Sequence, residues 1–386
     1  MKQATIRQPN KAFLAQEILD SLEITMAVVD TDGTILAVNE AWNRMARAAC
    51  SSAQLSRTRV GINYLQICRE ARGASVELAS EAAAGIESIL SGKVPLFSLE
   101  YPCFSPTEQR WYLMQVTPLP QHRGAVVAHI DITTRKHLEL QRQAQFEKAA
   151  RIQLQLLPEK LPLVNSLDIY AYSHPAEQVG GDFYDFLSST THPFIFTIGD
   201  VSGKGLSAAF LATAIHTILH TTMRAFPLAD PKAIMVSLNE DLYDDFTKVG
   251  MFVTMFTGCY DPQTEQLIYV NAGHSPVIHC PDGGPAVLLE AEETGLGIIP
   301  TSFYENQHIR LSPNDVFVAG TDGLNECFNA NGEMFGYERL LKTVEMLADR
   351  PANQIGVELF KAVHQFAHGY PQSDDQTVVI LKRIAN

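Results

Sequence analysis

Four acidic segments within residues 159–386 of this 386-residue chain combine residue types that could do chemistry. In each segment an aspartate lies where a strand-like run begins or ends, with a glycine or another small residue close by. Gathered in one place, such carboxylates would repel one another, and burial would raise their pKa values. A divalent cation removes that penalty, and an all-oxygen donor set selects hard ions, Mg²⁺ or Mn²⁺ rather than Zn²⁺. The segments are residues 180–185, 198–205, 319–326 and 373–377.

The region that carries these segments, residues 159–386, is predicted to be a separate domain. Five runs rich in β-branched and aromatic residues indicate strands, and two stretches between them indicate helices. Antiparallel strands with helices segregated from them define an α+β arrangement. The strand-like runs are 194–198, 255–260, 267–270, 315–319 and 377–381, and the helical stretches are 207–223 and 230–244.

The first third of the chain follows a different pattern, which opens with a β-hairpin. Apolar runs at 24–30 and 35–39 flank an Asp-Gly pair at Asp32, which is a strong hairpin signal. Helices at 40–49 and 77–90 follow, and three further strand-like runs complete the pattern. Those three runs are 97–104, 111–118 and 124–132.

This order of two strands, short helices and three strands resembles a PAS domain. The resemblance is carried by residues 29–35 (VDTDGTI), 39–42 (NEAW) and 131–136 (DITTRK), of which the last is typical of PAS modules joined to a signalling output. It implies an antiparallel sheet with flanking helices over residues 14–133. The ligand of this domain stays unknown, since Tyr64 stands where a flavin-binding LOV domain has its reactive cysteine.

A connector helix is predicted between the two regions, at residues 134–158. Residues 136–157 contain no glycine or proline, and Pro158 ends the helical pattern. A spacing of three and four residues selects six positions, of which four are apolar, over fewer than three heptads. A two-stranded coiled coil and a single amphipathic connector both fit this pattern. The six positions are Leu138, Arg142, Gln145, Ala149, Ile152 and Leu156.

The acidic segments, taken together and in this order, resemble the SpoIIE/RsbU group of PPM-type phosphatases. The resemblance covers essentially all of residues 150–386, and it implies a β-sandwich flanked by helices. Residues 153–158 (QLQLLP) match the segment that opens the catalytic domain in that group. The other matching motifs are Gly-Gly-Asp at Asp182, Asp-Val-Ser-Gly-Lys-Gly from Asp200, Asn-Ala-Gly-His at His274, Thr-Asp-Gly at Asp322 and Asp-Asp-Gln-Thr from Asp374.

The resemblance implies a serine/threonine phosphatase that uses two ions, either Mn²⁺ or Mg²⁺. Asp200 would bridge both ions, and by position Asp374 matches the next family ligand while Asp375 supports it. A water held between two ions ~3.5–4 Å apart becomes hydroxide-like near neutral pH and attacks phosphorus in line. The catalytic set would be Asp182, Asp200, Asp322 and Asp374, and the metal-holding set would add Asp375 and the carbonyl of Val201.

The order of a PAS domain and then a phosphatase resembles stress-response regulators of partner-switching pathways. That resemblance implies a phosphorylated STAS-type anti-anti-sigma protein as the substrate. It also leads us to expect a homodimer formed through the PAS domain and the connector, whose geometry controls the order of the metal site. The alternative is a catalytically weak or inactive metal-binding switch that signals by protein binding, although the intact carboxylate set argues against it.

Two other interpretations of single motifs fail, because a required residue or the required spacing is absent. A diguanylate cyclase would need a second acid where Phe183 stands, and the sequence around Lys204 lacks the spacing and the Ser/Thr of a phosphate-binding loop. His274 and Lys204 are interpreted as structural loop residues. Ser202 stands where eukaryotic relatives have a histidine suspected of protonating the leaving group, so no general acid is assigned.

The composition limits the classes of protein to which this chain can belong. With 43 acidic and 29 basic side chains the formal charge is −14, which argues against non-specific binding of nucleic acid or of anionic membranes. No apolar run approaches the ~18 residues of a membrane span, and the N-terminus lacks the apolar core of a secretory signal. Six scattered cysteines without a C-x-x-C pair fit reduced thiols. We therefore expect a soluble cytoplasmic protein.

Overall fold

A computed structural model describes the chain at residues 11–49, 59–71, 76–104, 109–158, 160–187, 193–226 and 230–385. The chain divides into two compact units, residues 1–143 and 144–386. The segmentation expected from the sequence, 14–133, 134–158 and 159–386, stays a prediction, because the division between the compact units falls inside the connector helix.

The N-terminal unit contains a five-stranded antiparallel sheet, which confirms the fold expected for this region. The strand order is β2-β1-β5-β4-β3, and the predicted hairpin is the β1–β2 pair. Two helices, α1 and α3, were not anticipated from the sequence. The elements are α1 (Lys11–Ser21), β1 (Thr25–Val29), β2 (Ile35–Val38), α2 (Glu40–Ala49), α3 (Tyr64–Arg69), α4 (Val76–Leu90), β3 (Phe97–Phe104), β4 (Gln109–Pro118) and β5 (Ala125–Asp131).

The hairpin turn owes its shape to an aspartate and a glycine. The carboxylate of Asp30 accepts the backbone N–H groups of Asp32 at 2.9 Å and Thr34 at 2.8 Å. Gly33 adopts a φ of +83°, a conformation that side chains resist, and a Cβ there would lie 2.6 Å from the side chain of Leu65. The turn therefore packs against α3 only because position 33 is a glycine.

The Asn-Glu-Ala-Trp sequence has a structural explanation in Asn39, which is almost fully buried. Its side-chain oxygen accepts the backbone N–H groups of Met26 and Trp42, both at 3.0 Å. Its amide donates to the carbonyl of Ile24 at 2.7 Å. One side chain thus joins strand β1 to the first turn of α2 and satisfies backbone groups that burial would otherwise leave unpaired.

The connector forms one helix, α5 (Thr133–Leu156), which buries none of its residues. Asp131 accepts the N–H of Thr133 at 2.9 Å and so satisfies one of the free donors at the start of the helix. Lys136 forms an ion pair with Glu100 on β3 at 2.6 Å, within the N-terminal unit. Leu138 and Ile152 are each more than half exposed.

The C-terminal unit is a β-sandwich of two five-stranded sheets with two helices packed on each, as the resemblance implied. The first sheet has the order β13-β10-β9-β8-β7, and the second has the order β12-β11-β14-β15-β6. The elements are β6 (Leu167–His174), β7 (Phe183–Phe186), β8 (Phe194–Val201), α6 (Leu206–Ala225), α7 (Pro231–Val249), β9 (Val253–Asp261), β10 (Gln266–Ala272), β11 (Val277–Cys280), β12 (Val287–Leu289), β13 (Gln307–Arg310), β14 (Val316–Gly320), α8 (Gly336–Leu347), α9 (Ala352–Ala367) and β15 (Gln376–Arg383).

Three apolar clusters hold these layers together. An aromatic cluster that includes Phe196, Phe256 and Phe317 fills the space between the two sheets. A second cluster joins the first sheet to α6 and α7, and a third joins the second sheet to α8 and α9. Because both faces of each sheet are buried, the central strands are apolar almost throughout, and the polar aspartates fall at strand ends.

Helix α6 is long and apolar enough to cross a membrane by length and composition, and it is the one such helix in the parts of the chain that the structure describes. Its buried residues, among them Ala208, Ile215 and Leu219, belong to the cluster formed with the first sheet. This is the packing of a core helix, in which one face is apolar because it contacts a sheet.

Candidate active site

Four aspartates from separate segments meet at one end of the sandwich. Asp182 precedes β7 and Asp200 is the last residue but one of β8, so both belong to the first sheet. Asp322 follows β14 and Asp374 precedes β15 in the second sheet. The charges of Asp322 and Asp374 both act on Asp200, and the charge of Asp200 acts on Asp182. The structure therefore brings together all four predicted catalytic carboxylates.

Burial and mutual repulsion perturb these carboxylates strongly. Burial, followed by the charges of Asp322 and Asp374, raises the pKa of Asp200 to about 7. Burial and nearby carboxylates also raise the pKa of Asp322 to about 6. Asp182 is 6% exposed, and burial with the charge of Asp200 raises its pKa well above the ordinary value. Such raised pKa values are typical of functional sites in which clustered carboxylates have no cation beside them.

The donor set fits hard divalent cations. The cluster offers carboxylate oxygens and, next to Asp200, the backbone carbonyl of Val201, which are the ligands that Mg²⁺ and Mn²⁺ prefer. Gly181 makes this proximity feasible, since a Cβ there would lie 2.6 Å from the Val201 oxygen and 3.3 Å from a carboxylate oxygen of Asp200. The Gly-Gly-Asp loop can therefore lie directly against the end of β8.

Asp375 has a different environment from Asp374. Its two carboxylate oxygens accept the backbone N–H groups of Ala176 and Gly181, each at 2.8 Å. A Cβ on Gly180 would lie only 2.1 Å from one of these oxygens. Burial raises the pKa of Asp375, although the backbone donors act against that rise. Its oxygens thus hold the Gly-Gly-Asp loop in place, an arrangement that agrees with a supporting role.

Lys204 lies at the site, which the sequence interpretation did not anticipate. Its ammonium group is 3.0 Å from a carboxylate oxygen of Asp374 and also donates to the carbonyl of Ser373. The sequence alone favours a role for Lys204 in loop packing. The ion pair joins residues 170 positions apart, so no local pattern could have revealed it.

Thr321 orients Asp182 from the opposite sheet. Its hydroxyl donates to a carboxylate oxygen of Asp182 at 2.8 Å and accepts the N–H of Thr377 at 2.9 Å. The threonine of the Thr-Asp-Gly sequence therefore fixes one carboxylate while the adjacent Asp322 supplies another.

His274 lies beside the cluster as a buried, neutral side chain. Burial lowers its pKa to about 4, and its Nδ1 is 3.1 Å from the hydroxyl of Thr254. Its backbone N–H donates to the side chain of Asn271 at 2.8 Å. The sequence interpretation expected a structural histidine bonded to backbone. Hydrogen bonds with the backbone of Gly320 and Thr254 oppose the lowering of its pKa, in agreement with that expectation, and the ring also contacts the Thr254 hydroxyl.

The last turns of the connector helix reach the Gly-Gly-Asp loop. The side-chain amide of Gln153 donates to the carbonyl of Gly180 at 2.6 Å, and its oxygen accepts the N–H of Gly180 at 3.2 Å. Gly180 is two residues before Asp182. The QLQLLP segment thus contains a residue that contacts the loop carrying a predicted metal ligand.

We predict that the carboxylate cluster of the metal-free protein contributes less to stability as pH rises from about 4 to about 8. In this window the folded chain holds protons on Asp200 and Asp322 that the unfolded chain, with a carboxyl pKa of 3.8, has released. The contribution of these two carboxyls to the free energy of unfolding therefore falls as pH rises through their folded pKa values of about 6 and about 7. Buried His274, whose pKa is lowered from 6.5 to about 4, acts in the opposite direction in the lower part of this window.

Urea unfolding with a chelator across this pH range measures the effect. Saturating Mg²⁺ or Mn²⁺ should remove it, since the ions replace the protons. The stability of the chelated wild type relative to chelated Asp200→Asn should fall as pH rises, because the variant keeps the histidines and loses only the Asp200 carboxyl. A difference between the two proteins that does not change with pH over the window would contradict the clustering of these carboxylates.

The sandwich and its carboxylate cluster place the C-terminal unit in the class of PPM-type (PP2C) phosphatase folds. The "SiaA-PP2C domain of Pseudomonas aeruginosa" matches with a TM-score of 0.58 at 21% sequence identity, covering 64% of this chain and 99% of that domain. At that identity the likeness shows the fold alone.

Sequence comparison identifies the family. The family model for stage II sporulation protein E (SpoIIE) matches residues 190–384, half of the chain, and a PAS-fold model matches residues 19–137. The chain therefore belongs to the SpoIIE family and is a PPM-type serine phosphatase with an N-terminal PAS domain.

Two curated relatives come from Bacillus subtilis (strain 168). "Phosphoserine phosphatase RsbU" is 28% identical over 263 residues, which is 67% of this chain and 76% of that protein. "Phosphoserine phosphatase RsbP" is 23% identical over 253 residues, and the chain spans only 59% of its length.

Proposed function

We propose that this protein removes phosphate from phosphoserine or phosphothreonine in a STAS-type anti-anti-sigma protein, and that its PAS domain regulates the reaction. The observation that carries the proposal is the carboxylate cluster, in which burial and the charges of Asp322 and Asp374 raise the pKa of Asp200 to about 7. The relative named phosphoserine phosphatase RsbU supports the choice of substrate class.

Each residue of the cluster has a proposed role. Asp182, Asp200, Asp322 and Asp374 hold two ions, Mn²⁺ or Mg²⁺, with help from the Val201 carbonyl. When bound, such ions stabilise charge on the phosphoryl oxygens and supply a nucleophilic water.

The neighbouring residues position these carboxylates and add positive charge beside them. Thr321 fixes the orientation of Asp182, and Asp375 holds the Gly-Gly-Asp loop through backbone N–H groups. Lys204 positions Asp374 and adds a positive charge at the edge of the site, where an anionic phosphoprotein would approach.

The cysteines of the C-terminal unit do not favour a covalent mechanism. Burial raises the pKa of Cys259 to about 11, and it also raises the pKa of Cys280 and of Cys327. At neutral pH these three thiols are protonated, and the thiolate is the form that attacks. Attack by a metal-activated water is therefore the mechanism that fits the residues present.

The direct test is hydrolysis of a phosphorylated STAS protein, with p-nitrophenyl phosphate as a second substrate. We expect turnover with Mn²⁺ or Mg²⁺ and none with excess chelator. Binding of the phosphoprotein without release of phosphate under every metal condition would instead support the metal-binding switch that works by protein contact alone.

We also propose that the connector couples the PAS domain to the active site, in a homodimer in the cytoplasm. The exposed Leu138 and Ile152 on α5 provide apolar surface for a second copy, and Gln153 on the same helix contacts the Gly-Gly-Asp loop. A shift of the helix would therefore alter the loop that carries Asp182.

Gln153→Ala should raise the Mn²⁺ concentration needed for half-maximal turnover about tenfold. The variant loses two hydrogen bonds to Gly180, each worth about 1 kcal/mol, so the loop loses order before the metal binds. Gln155→Ala, which changes an exposed glutamine of the same helix, is the matched control and should behave as wild type. Identical metal dependence in both variants would count against coupling through Gln153.

A further inference from the structure

A second group of metal-ligating side chains lies in the C-terminal unit, apart from the aspartate cluster. Asp185 on β7 and His216 and His220 on α6 offer one ligand atom each, and these atoms all lie within 4.8 Å of one another. Asp185 is three residues beyond Asp182, which places it about 10 Å further along the chain at the ordinary rise of a strand.

The geometry of the group is already close to that of a coordination site. The Nε2 atoms of His216 and His220 lie 3.4 Å and 2.7 Å from the same carboxylate oxygen of Asp185. Tetrahedral coordination with bonds of about 2.0–2.2 Å places ligand atoms roughly 3.3–3.6 Å apart. One distance already has this value, and a shift of the His220 ring by less than about 1 Å would give the other.

Local structure fixes all three ligands. The two histidines are four residues apart on α6, so both rings lie on one face of the helix, with centroids 4.4 Å apart. The other oxygen of Asp185 accepts the backbone N–H of Phe186 at 2.7 Å, which leaves the shared oxygen directed at the histidines. The carboxylate is 5% exposed, and the rings are 24% and 37% exposed.

An ion can reach this group from solvent. The three residues line an open cavity of about 630 Å³, together with Thr217, among others. A site with three protein ligands keeps a fourth position for water, and the cavity provides room for it.

The donor set selects a different ion from the aspartate cluster. Two neutral imidazoles and one carboxylate suit Zn²⁺ and its neighbours among the transition metals, whereas Mg²⁺ prefers oxygen. Lys160 and Arg224 also line the cavity, so its overall charge does not favour a hard cation held by charge alone.

We propose that Asp185, His216 and His220 form a binding site for Zn²⁺ or a similar transition-metal ion, separate from the active site. A bound ion ties α6 to β7. Helix α6 follows the end of β8 that carries Asp200, and β7 follows the loop that carries Asp182, so the ion stabilises elements next to the active site without taking part in the reaction.

The test is a titration of the full chain, without a polyhistidine tag, with Zn²⁺ in competition with a chromogenic chelator. Asp200→Asn serves as the background, which weakens binding of Zn²⁺ by the aspartate cluster. In this background, adding His216→Gln and His220→Gln should remove one equivalent of bound Zn²⁺ or weaken its binding at least a hundredfold. His137→Gln, which changes an exposed histidine outside this cavity, should leave the titration unchanged.

A second measurement distinguishes lost ligands from lost structure. Co²⁺ in such a site gives visible d–d absorption, and this signal should vanish in the double glutamine variant while circular dichroism without metal matches the parent. Equal Zn²⁺ stoichiometry and affinity in the parent and in the double variant would overturn the site. Absence of any Zn²⁺ binding by the Asp200→Asn parent would also overturn the site. The contact between Asp185 and the two histidines would then be an ordinary hydrogen-bonded group. Neither result depends on whether the protein hydrolyses phosphoproteins.

Discussion

Asp200→Asn should lower metal-dependent turnover by at least about a thousandfold, equivalent to ~4 kcal/mol of transition-state stabilisation. The asparagine keeps the size of the side chain but removes the charge that is proposed to bridge two ions. Because Asp200 repels its neighbours in the metal-free chain, the variant should be as stable as wild type or more so at about pH 8 with chelator.

The comparison needs a surface control and a check of folding. Asp349→Asn changes an aspartate whose side chain is 80% exposed and should retain full turnover. Phosphate release from the phosphorylated STAS protein gives the rate, and urea unfolding gives the stability. Activity of Asp200→Asn within about tenfold of wild type would remove Asp200 from the bridging role, since a lost bridge costs several kcal/mol.

Asp375→Ala should destabilise the protein by about 2 kcal/mol and also abolish most of its turnover. The change leaves the N–H groups of Ala176 and Gly181 without an acceptor, and unpaired buried donors cost about 1–3 kcal/mol each. Relief of charge repulsion within the cluster offsets part of that cost, because burial already raises the pKa of Asp375. Turnover falls because the loop that carries Asp182 is no longer held.

Asp374→Asn is the matched comparison, because it changes the neighbouring aspartate. Its carboxylate contacts Lys204, which is half exposed, so loss of the ion pair should cost less than about 1 kcal/mol of stability. Turnover should nevertheless be lost as completely as in Asp200→Asn. Urea unfolding and Mn²⁺-dependent hydrolysis separate the two variants. Equal stability of both, with turnover lost only in Asp375→Ala, would reverse the assignment of ligand and supporting residue.

Much of the fold could be predicted because its signals are local. The Asp-Gly pair at Asp32 and its flanking apolar runs predict the first hairpin, and the structure forms it with the bonds that such turns use. The absence of glycine and proline over residues 136–157 likewise predicts the connector helix. Helix α3 was not anticipated, since it is only six residues long and carries little periodic signal.

The sequence by itself predicted which aspartates form the candidate site, because each occurs in a short motif next to a strand end. It also determined the order of the domains, and the residue types in the motifs predicted a preference for hard metal ions. Only the tertiary structure decided which groups contact those aspartates and the loops that carry them. Lys204 contacts Asp374 across 170 residues, and Gln153 binds Gly180 in the Gly-Gly-Asp loop. The oxygens of Asp375 accept backbone N–H groups almost 200 residues away.

The same distinction explains why the group of Asp185, His216 and His220 was missed. Two histidines four residues apart on an apolar helix carry little information until the helix is packed on a sheet. Their contact with Asp185 joins positions more than thirty residues apart, and it exists because the apolar face of α6 packs against the sheet that contains β7. Motifs record which residues are chemically suited to a site, but only the packing of helices and strands decides which of them meet.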